Sequence, residues 1–230
     1  MRMLVTVGLI VGVVALGATL VVSAADEAKK VAGTQTIVNF DDVKAGDLPK
    51  GWEIAATKPT GDLAEWNVEA DEKAPSKPNV LALVKIKNPP DTAVFNLCWT
   101  KDVKFKDGTV SLKIRANSGK ADQGGGPMWR VKDANNYYVA RYNPLEKNFR
   151  LYSVKDGTRK QLADAKDLAV PASQWFTITV TQKGDKIECS LDGKKLLEAT
   201  DATLPEAGGV GLWTKGDAAT SFDDLEVVSE

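Results

Sequence analysis

The chain has 230 residues, of which 30 are Lys or Arg and 31 are Asp or Glu, so its formal charge is −1. This balance disfavours a nucleic-acid-binding protein, which carries a basic surplus. The chain contains no histidine, which excludes a Ser-His-Asp triad, a Cys-His dyad and histidine metal ligands. Proton transfer near neutral pH therefore requires a perturbed carboxylate, Lys, Tyr or Cys.

The N-terminal segment has the three parts of a secretory signal peptide. Arg2 is the only charged residue before Asp26, residues 4–22 form an uncharged run, and Val22-Ser23-Ala24 provides small residues for cleavage. We expect a signal peptide over residues 1–24, a flexible lead-in over 25–36 and one domain over 37–230. The protein is then secreted or periplasmic, with no membrane contact after cleavage. Because the run is almost long enough to span a bilayer, an uncleaved N-terminal membrane anchor is the alternative.

Two cysteines, Cys98 and Cys189, follow the predicted export signal. In an oxidising compartment a single disulfide between them is one interpretation, and two buried reduced thiols are the other. The spacing of the two residues does not decide between these interpretations. No Cys-x-x-Cys motif occurs, so the sequence indicates neither a thiol redox site nor a zinc site.

The rest of the chain has the pattern of short strands and tight turns. Residues 110–116, 176–181 and 186–191 alternate apolar and polar side chains, a period of two that is typical of half-buried strands. Two turn signals accompany these segments: Gly184-Asp185 separates the second from the third, and Asp192-Gly193 follows the third. No segment has a convincing helical pattern. We predict an all-β fold, a two-sheet antiparallel β-sandwich of the jelly-roll type in a single domain.

The tripeptide Phe-Asp-Asp occurs near both ends of the predicted domain, with aspartates Asp41, Asp42, Asp223 and Asp224. Terminal strands of jelly rolls often lie side by side, which would bring these carboxylates together. Calcium requires such oxygen ligands, so one hypothesis is a calcium site. The alternative is that the aspartates accept hydrogen bonds from backbone amides in turns. No other metal or cofactor is indicated.

A series of motifs resembles secreted bacterial domains of the concanavalin A-like lectin/glucanase superfamily. The resemblance extends over residues 37–228 and is strongest at 124–130, 133–143, 148–152, 191–196, 209–215 and 222–225. The most similar group is described as 3-keto-disaccharide hydrolase-like or family 16 glycoside hydrolase-like, and laminin G-like jelly rolls are also similar. This resemblance implies a curved two-sheet sandwich whose concave face holds sugar where sugar is bound. It specifies the fold more closely than the activity, because the superfamily contains lectins, adhesion modules and hydrolases.

The chain departs from the superfamily's glucanases at their catalytic motif. Those enzymes carry a Glu-x-Asp-x-x-Glu strand, and no segment here matches it; Glu65, Glu69 and Glu72 have the wrong spacing. A retaining glycosidase requires two carboxyl groups about 5–5.5 Å apart. The sequence offers no such pair, so it assigns no catalytic residue and argues against glucanase-type catalysis.

The central strands predict a binding face. One consistent register sends Trp129, Val131, Tyr138, Ala140, Phe149 and Leu151 to the core. The same register gathers a polar set on the opposite face, and these are the predicted ligand-binding residues: Arg130, Tyr137, Arg141, Asn143, Arg150 and Tyr152. Arg and Asn donate directional hydrogen bonds to hydroxyl groups, and Tyr offers a flat apolar surface to a sugar ring. Three arginines also fit a carboxylate or sulfate of an acidic glycan. The alternative is a solvated strand face with weak ion pairs.

Two functions follow from this pattern. The first is an exported, non-catalytic carbohydrate-binding module whose partner is a glycan. The second is a glycoside hydrolase or lyase that acts on a disaccharide or 3-keto-glycoside, with Arg130 or Arg141 polarising the ketone. Its base would be Asp133, Glu146 or Asp224, none of which the sequence favours clearly. A structural or adhesion domain is a third, less supported possibility.

Overall fold

The computed structural model describes residues 33–59, 61–87 and 94–230, so the predicted signal peptide lies outside the described residues. Fifteen strands and no helix occur in these three ranges. The strands are β1 Thr34–Val38, β2 Trp52–Thr57, β3 Glu65–Ala70, β4 Asn79–Lys85, β5 Phe95–Phe105, β6 Gly108–Ser118, β7 Gly126–Asp133, β8 Asn136–Asn143, β9 Asn148–Lys155, β10 Thr158–Ala165, β11 Trp175–Lys183, β12 Lys186–Leu191, β13 Lys194–Thr200, β14 Gly208–Lys215 and β15 Ala219–Ser229. None of the described segments is a helix that could cross a membrane.

The strands form two antiparallel sheets. The first sheet has the order β13-β12-β11-β6-β15-β4-β3, with β1 also paired to β15. The second sheet has the order β10-β9-β8-β7-β14-β5-β2. Non-consecutive strands are neighbours in both sheets, as a jelly roll requires. The predicted all-β sandwich is therefore confirmed.

Alternating side chains and tight turns explain the strands that the sequence predicted. Along β6 every second residue from Gly108 to Ala116 is buried, and β11 and β12 show a similar alternation. The turn after β12 places both Asp192 and Gly193 at positive φ, 47° and 77°. This backbone conformation matches the twist of a two-residue hairpin, which is why the Asp-Gly pair was informative.

The core lies between the sheets and contains five of the six predicted residues of the central strands. The five are Trp129, Tyr138, Ala140, Phe149 and Leu151. The sixth, Val131, is buried on the opposite side of the second sheet. The cause is an irregularity in β7: its pairing with β8 shifts between Trp129 and Asp133, so a strict alternation ends there.

Both cysteines belong to the same core. Cys98 on β5 and Cys189 on β12 are fully buried and free. Burial raises the pKa of both thiols. The structure therefore has two buried reduced thiols and not the disulfide.

Candidate functional site

The outer face of the second sheet, on the side away from the core, is concave. Arg159 on β10 places its Cζ atom 4.8 Å from the centre of the Phe95 ring on β5. Four strands separate β10 from β5, which corresponds to about 24 Å across a flat sheet. Two side chains cannot bridge that distance unless the sheet curls towards this face. We call this surface the concave face.

A second contact confirms the curvature at the other end of the sheet. The Thr57 hydroxyl on β2 lies 2.9 Å from the Tyr137 hydroxyl on β8, although three strands separate β2 from β8. Thr57 also donates to the backbone carbonyl of Ala134. The side chains of distant strands therefore meet above the middle of the sheet.

A second apolar cluster fills the floor of the concave face. It is separate from the main core and is almost fully buried: Phe95, Leu97, Trp99, Met128, Val131, Tyr137, Val139, Tyr152, Val154 and Trp213. The indole of Trp213 donates a 3.1 Å hydrogen bond to the Tyr137 hydroxyl, and burial raises the pKa of Tyr137. The rings of Tyr137 and Tyr152 are 0% and 3% exposed. The concave face therefore has aromatic residues, but these two rings are not open platforms for a sugar.

Arg159 covers part of this cluster. Its guanidinium lies 4.3 Å from the centre of the Tyr152 ring and 4.8 Å from that of Phe95, so it contacts both rings. Such cation–π contacts fix the plane of the guanidinium. Its Nη1 atom is buried and has no hydrogen-bond partner. Burial lowers the pKa of Arg159.

Arg141 on β8 and Arg150 on β9 are paired across the two strands and share one carboxylate. Glu146 accepts hydrogen bonds of 2.9 Å from Arg141 and 3.0 Å from Arg150. Burial raises the pKa of Glu146, but the hydrogen bonds from Asn148 and Arg141 and the charges of both arginines outweigh it and lower the pKa to about 2. Glu146 is therefore ionised at neutral pH and binds cations; it is a poor proton acceptor.

The partners of these arginines differ in one important respect. Arg150 also donates to Asp164 at 3.0 Å. Arg141 is 3% exposed and donates to Asn148 at 2.7 Å, but its Nε atom is buried without a partner. Arg141 and Arg159 therefore each keep one buried N–H group that nothing in the described residues satisfies.

Asn143 and Asp122 support the end of β8. The Asn143 amide donates to Asp122 at 3.1 Å, and its carbonyl accepts from the backbone amides of Leu145 and Glu146. Asp122 also accepts from Lys215. Asn143 is 1% exposed. It orders the turn between β8 and β9 and thereby positions Arg141 and Glu146.

Arg130 does not join the concave-face residues, which corrects the predicted register. It has a φ of 47° at the irregular part of β7. Its side chain is nearly fully buried and donates hydrogen bonds of 2.8 Å to the carbonyls of Lys106, Leu204 and Gly184. A further contact of 3.2 Å joins it to Asp107. Arg130 therefore ties loops together, with four of its five N–H groups used in these contacts.

The structure brings five of the six predicted ligand-binding residues to the concave face: Tyr137, Arg141, Asn143, Arg150 and Tyr152. The residues that sequence reasoning missed there include Arg159 and Phe95. Arg159 lies on β10, whose pairing with β9 shifts between Gln161 and Ala163. Because the bulge breaks the alternation, no period of two marked this segment as a strand.

The three carboxylates considered as bases all have partners. Asp133 accepts from the backbone of Asn135 and the side chain of Asn136. Asp224 accepts from Lys113 at 2.7 Å. Two arginines hold Glu146 ionised, so each of the three carboxylates is already engaged by donors of the fold.

The aspartates of the two Phe-Asp-Asp segments are close, as predicted, because β1 pairs with β15. Ser76 links them: its hydroxyl lies 3.0 Å from Asp41 and 3.2 Å from Asp223. Asp42 is exposed, and Asp224 pairs with a lysine on β6. The described ranges contain no group of three or more metal-ligating side chains. Calcium binding stays a prediction.

Comparisons with known proteins identify the family. Residues 35–228 match the model of the 3-keto-alpha-glucoside-1,2-lyase-like domain. The chain belongs to this family. A search of curated protein sequences gives no match.

Solved structures with the same fold include carbohydrate-binding and hydrolytic proteins. A carbohydrate-binding module, CBM66 from Bacillus subtilis, is 20% identical, with a TM-score of 0.57 over 76% of this chain and 94% of its own. Domain 4 of the arabinanase AbnA from Geobacillus stearothermophilus, solved with arabinotriose, is 12% identical, with a TM-score of 0.55 over 84% and 90%. The β-glucanase of Bacillus licheniformis is 9% identical, with a TM-score of 0.56 over 86% and 99%. At these identities the likeness concerns the fold.

Proposed function

We propose that this member of the 3-keto-alpha-glucoside-1,2-lyase-like family is an exported protein that binds a glycan on its concave face. The observation that carries the proposal is the pair Arg141 and Arg159, whose buried N–H groups lack partners among the described residues. A buried donor without a partner costs about 1–3 kcal/mol. Sugar hydroxyl and carbonyl oxygens are the acceptors that would satisfy these groups.

The mechanism of recognition follows from how rigidly the site is built. The rings of Phe95 and Tyr152 hold Arg159, and Asn148 and Glu146 hold Arg141. Side chains that are ordered before binding lose little conformational entropy when a ligand arrives. A glycan would therefore gain most of the free energy of the new hydrogen bonds.

A glycan array followed by calorimetry tests this proposal. Arg141→Ala should weaken binding by roughly ten- to hundredfold, because one charged hydrogen bond contributes about 1.5–3 kcal/mol. Thr181→Ala is the control: it removes an exposed side chain from the first sheet and should leave affinity unchanged. Thermal unfolding of both variants separates loss of binding from loss of the fold, since Arg141 also pairs with Glu146. Equal affinity of wild type and Arg141→Ala would remove Arg141 from the site.

The family match favours a second candidate, a lyase acting on a 3-keto-glycoside. In such an elimination a base takes the proton from the carbon beside the ketone, a C=C bond forms, and the glycosidic oxygen leaves with a proton. Arg141 and Arg159 are suited to polarising the ketone. Release of the second sugar from a 3-keto-disaccharide, followed by chromatography, tests this activity directly; binding without release favours the first proposal.

Export is proposed from the N-terminal sequence, where Arg2 precedes an apolar run and Val22-Ser23-Ala24. The mature chain should begin near Ala25 and be found outside the cytoplasm. Intact-mass measurement on the exported fraction checks this. A mass that retains Met1 in a membrane fraction would indicate an anchor.

A further inference from the structure

The charges of the concave face do not balance. Lys215 pairs with Asp122, Arg150 pairs with Asp164 and Glu146, and Arg141 pairs with Glu146. Arg159 makes no hydrogen bond or ion pair with any described residue. Lys166 also pairs with Asp164. Among these cations Arg159 alone has no carboxylate partner in the described part of the chain, and it is a partly buried guanidinium. A buried charge without a counter-charge is costly for the folded protein.

The position of Arg159 increases this cost. It leans over Tyr152, which pairs with Val139, two residues before Arg141 on β8. The positive charge of Arg141 is near enough to lower the pKa of Arg159, in addition to the larger effect of burial. Two neighbouring guanidinium groups repel each other unless an anion lies between them. The unsatisfied Nη1 of Arg159 and Nε of Arg141 are the donors that such an anion would use.

We propose that the concave face recognises an acidic glycan and that Arg159 and Arg141 bind the carboxylate of its uronic acid. This inference rests on the proposed glycan-binding function and names its ligand class. A carboxylate has two oxygens in one plane, and a guanidinium presents parallel N–H groups in one plane, so the two match geometrically. Stacking between Phe95 and Tyr152 fixes the plane of Arg159 before the ligand arrives. The carboxylate would also supply the counter-charge that the described residues lack.

Matched glycan pairs test the inference, because each pair differs only in its charge. The probes are oligogalacturonides with their methyl esters, and glucuronate-containing oligosaccharides with their carboxyl-reduced forms. By calorimetry the wild-type protein should bind the acid form of a recognised pair roughly ten- to hundredfold more tightly. The preference should shrink as salt is added, since salt screens the attraction.

Two variants remove the same charge from neighbouring positions of β10. Arg159→Met keeps an unbranched apolar stem but should abolish the preference for the acid. Lys160→Met is the control: its side chain is 72% exposed and reaches towards Asp201 instead of Arg141, so the preference should persist. Because the guanidinium of Arg159 makes no polar contact with described residues, Arg159→Met should fold, and its unfolding midpoint verifies this.

Each outcome separates the inference from the function on which it rests. Tighter binding of the neutral partner, or equal binding of both, overturns the acidic-glycan inference and leaves glycan binding standing. An acid preference that survives Arg159→Met overturns the role of Arg159. A sulfated oligosaccharide that binds while every uronate fails overturns the carboxylate assignment. Failure to bind any neutral or acidic glycan overturns both the inference and the proposed function.

Discussion

Replacing Arg130 distinguishes a structural arginine from a ligand-binding one. The sequence pattern grouped Arg130 with the sugar-binding residues, whereas the structure uses its donors on the carbonyls of Lys106, Gly184 and Leu204. Arg130→Met keeps much of the side-chain volume and removes these donors. The variant leaves three carbonyls without their partner and removes the 3.2 Å contact to Asp107. We expect a large loss of stability and no direct effect on glycan affinity.

The magnitude follows from the three hydrogen bonds. At about 1.5–3 kcal/mol each, their simple sum is an upper limit of several kcal/mol. Breaking a buried charged network typically costs about 3–5 kcal/mol, which is a large part of a domain's total stability. For a domain of this size each kcal/mol lowers the unfolding midpoint by about 2–4 °C. Arg130→Met should therefore unfold roughly 6–20 °C below the wild type.

Thermal and urea unfolding measure this change, and Lys132→Met is the matched control. Lys132 lies two residues away on β7 and is exposed, so its loss should leave the free energy of unfolding within about 0.5 kcal/mol of the wild type. The reasoning is refuted if Arg130→Met unfolds with the wild type and binds glycan more weakly. That result would return Arg130 to the ligand site.

Three further predictions concern the core and the strand ends. Ile178→Asp should unfold the domain, because Ile178 is 0% exposed in the core and an unpaired buried carboxylate costs several kcal/mol. Thr179→Asp, on the outer side of the same strand, should be tolerated; similar unfolding midpoints for the two variants would show that the register is wrong. Burial raises the pKa of Asp223 to about 6 from its ordinary value of 3.8, so the folded state binds this proton more tightly than the unfolded state. The resulting stability, on the order of 3 kcal/mol, is fully present below about pH 4 and is lost as the pH rises through about 6; urea titrations of wild type and Asp223→Asn across this range should diverge with pH, and parallel curves would contradict the raised pKa. Cys98 and Cys189 should react with a thiol reagent only after denaturation, because both are buried and burial raises their pKa values; labelling of the native protein would show that the core opens.

Much of the fold could be predicted from the sequence because its signals are local. A period of two marks β6, β11 and β12 as strands that bury one side. The Asp192-Gly193 pair marks a hairpin because both residues adopt positive φ at low cost. The same alternation on the neighbouring strands β8 and β9 also predicts which of their side chains enter the core, among them Tyr138 and Phe149.

The candidate site depended on contacts that no local pattern records. A single irregularity at Arg130 turned its guanidinium into the loops and moved Val131 to the concave face. The curl of the second sheet brought Arg159 onto Phe95 across four intervening strands. Alternation assigns a side to each residue, but bulges change that side, and curvature decides which distant strands meet. The sequence by itself therefore determined the sandwich and most of the polar residues on its concave face, and the tertiary structure alone decided which arginines that face leaves without a partner.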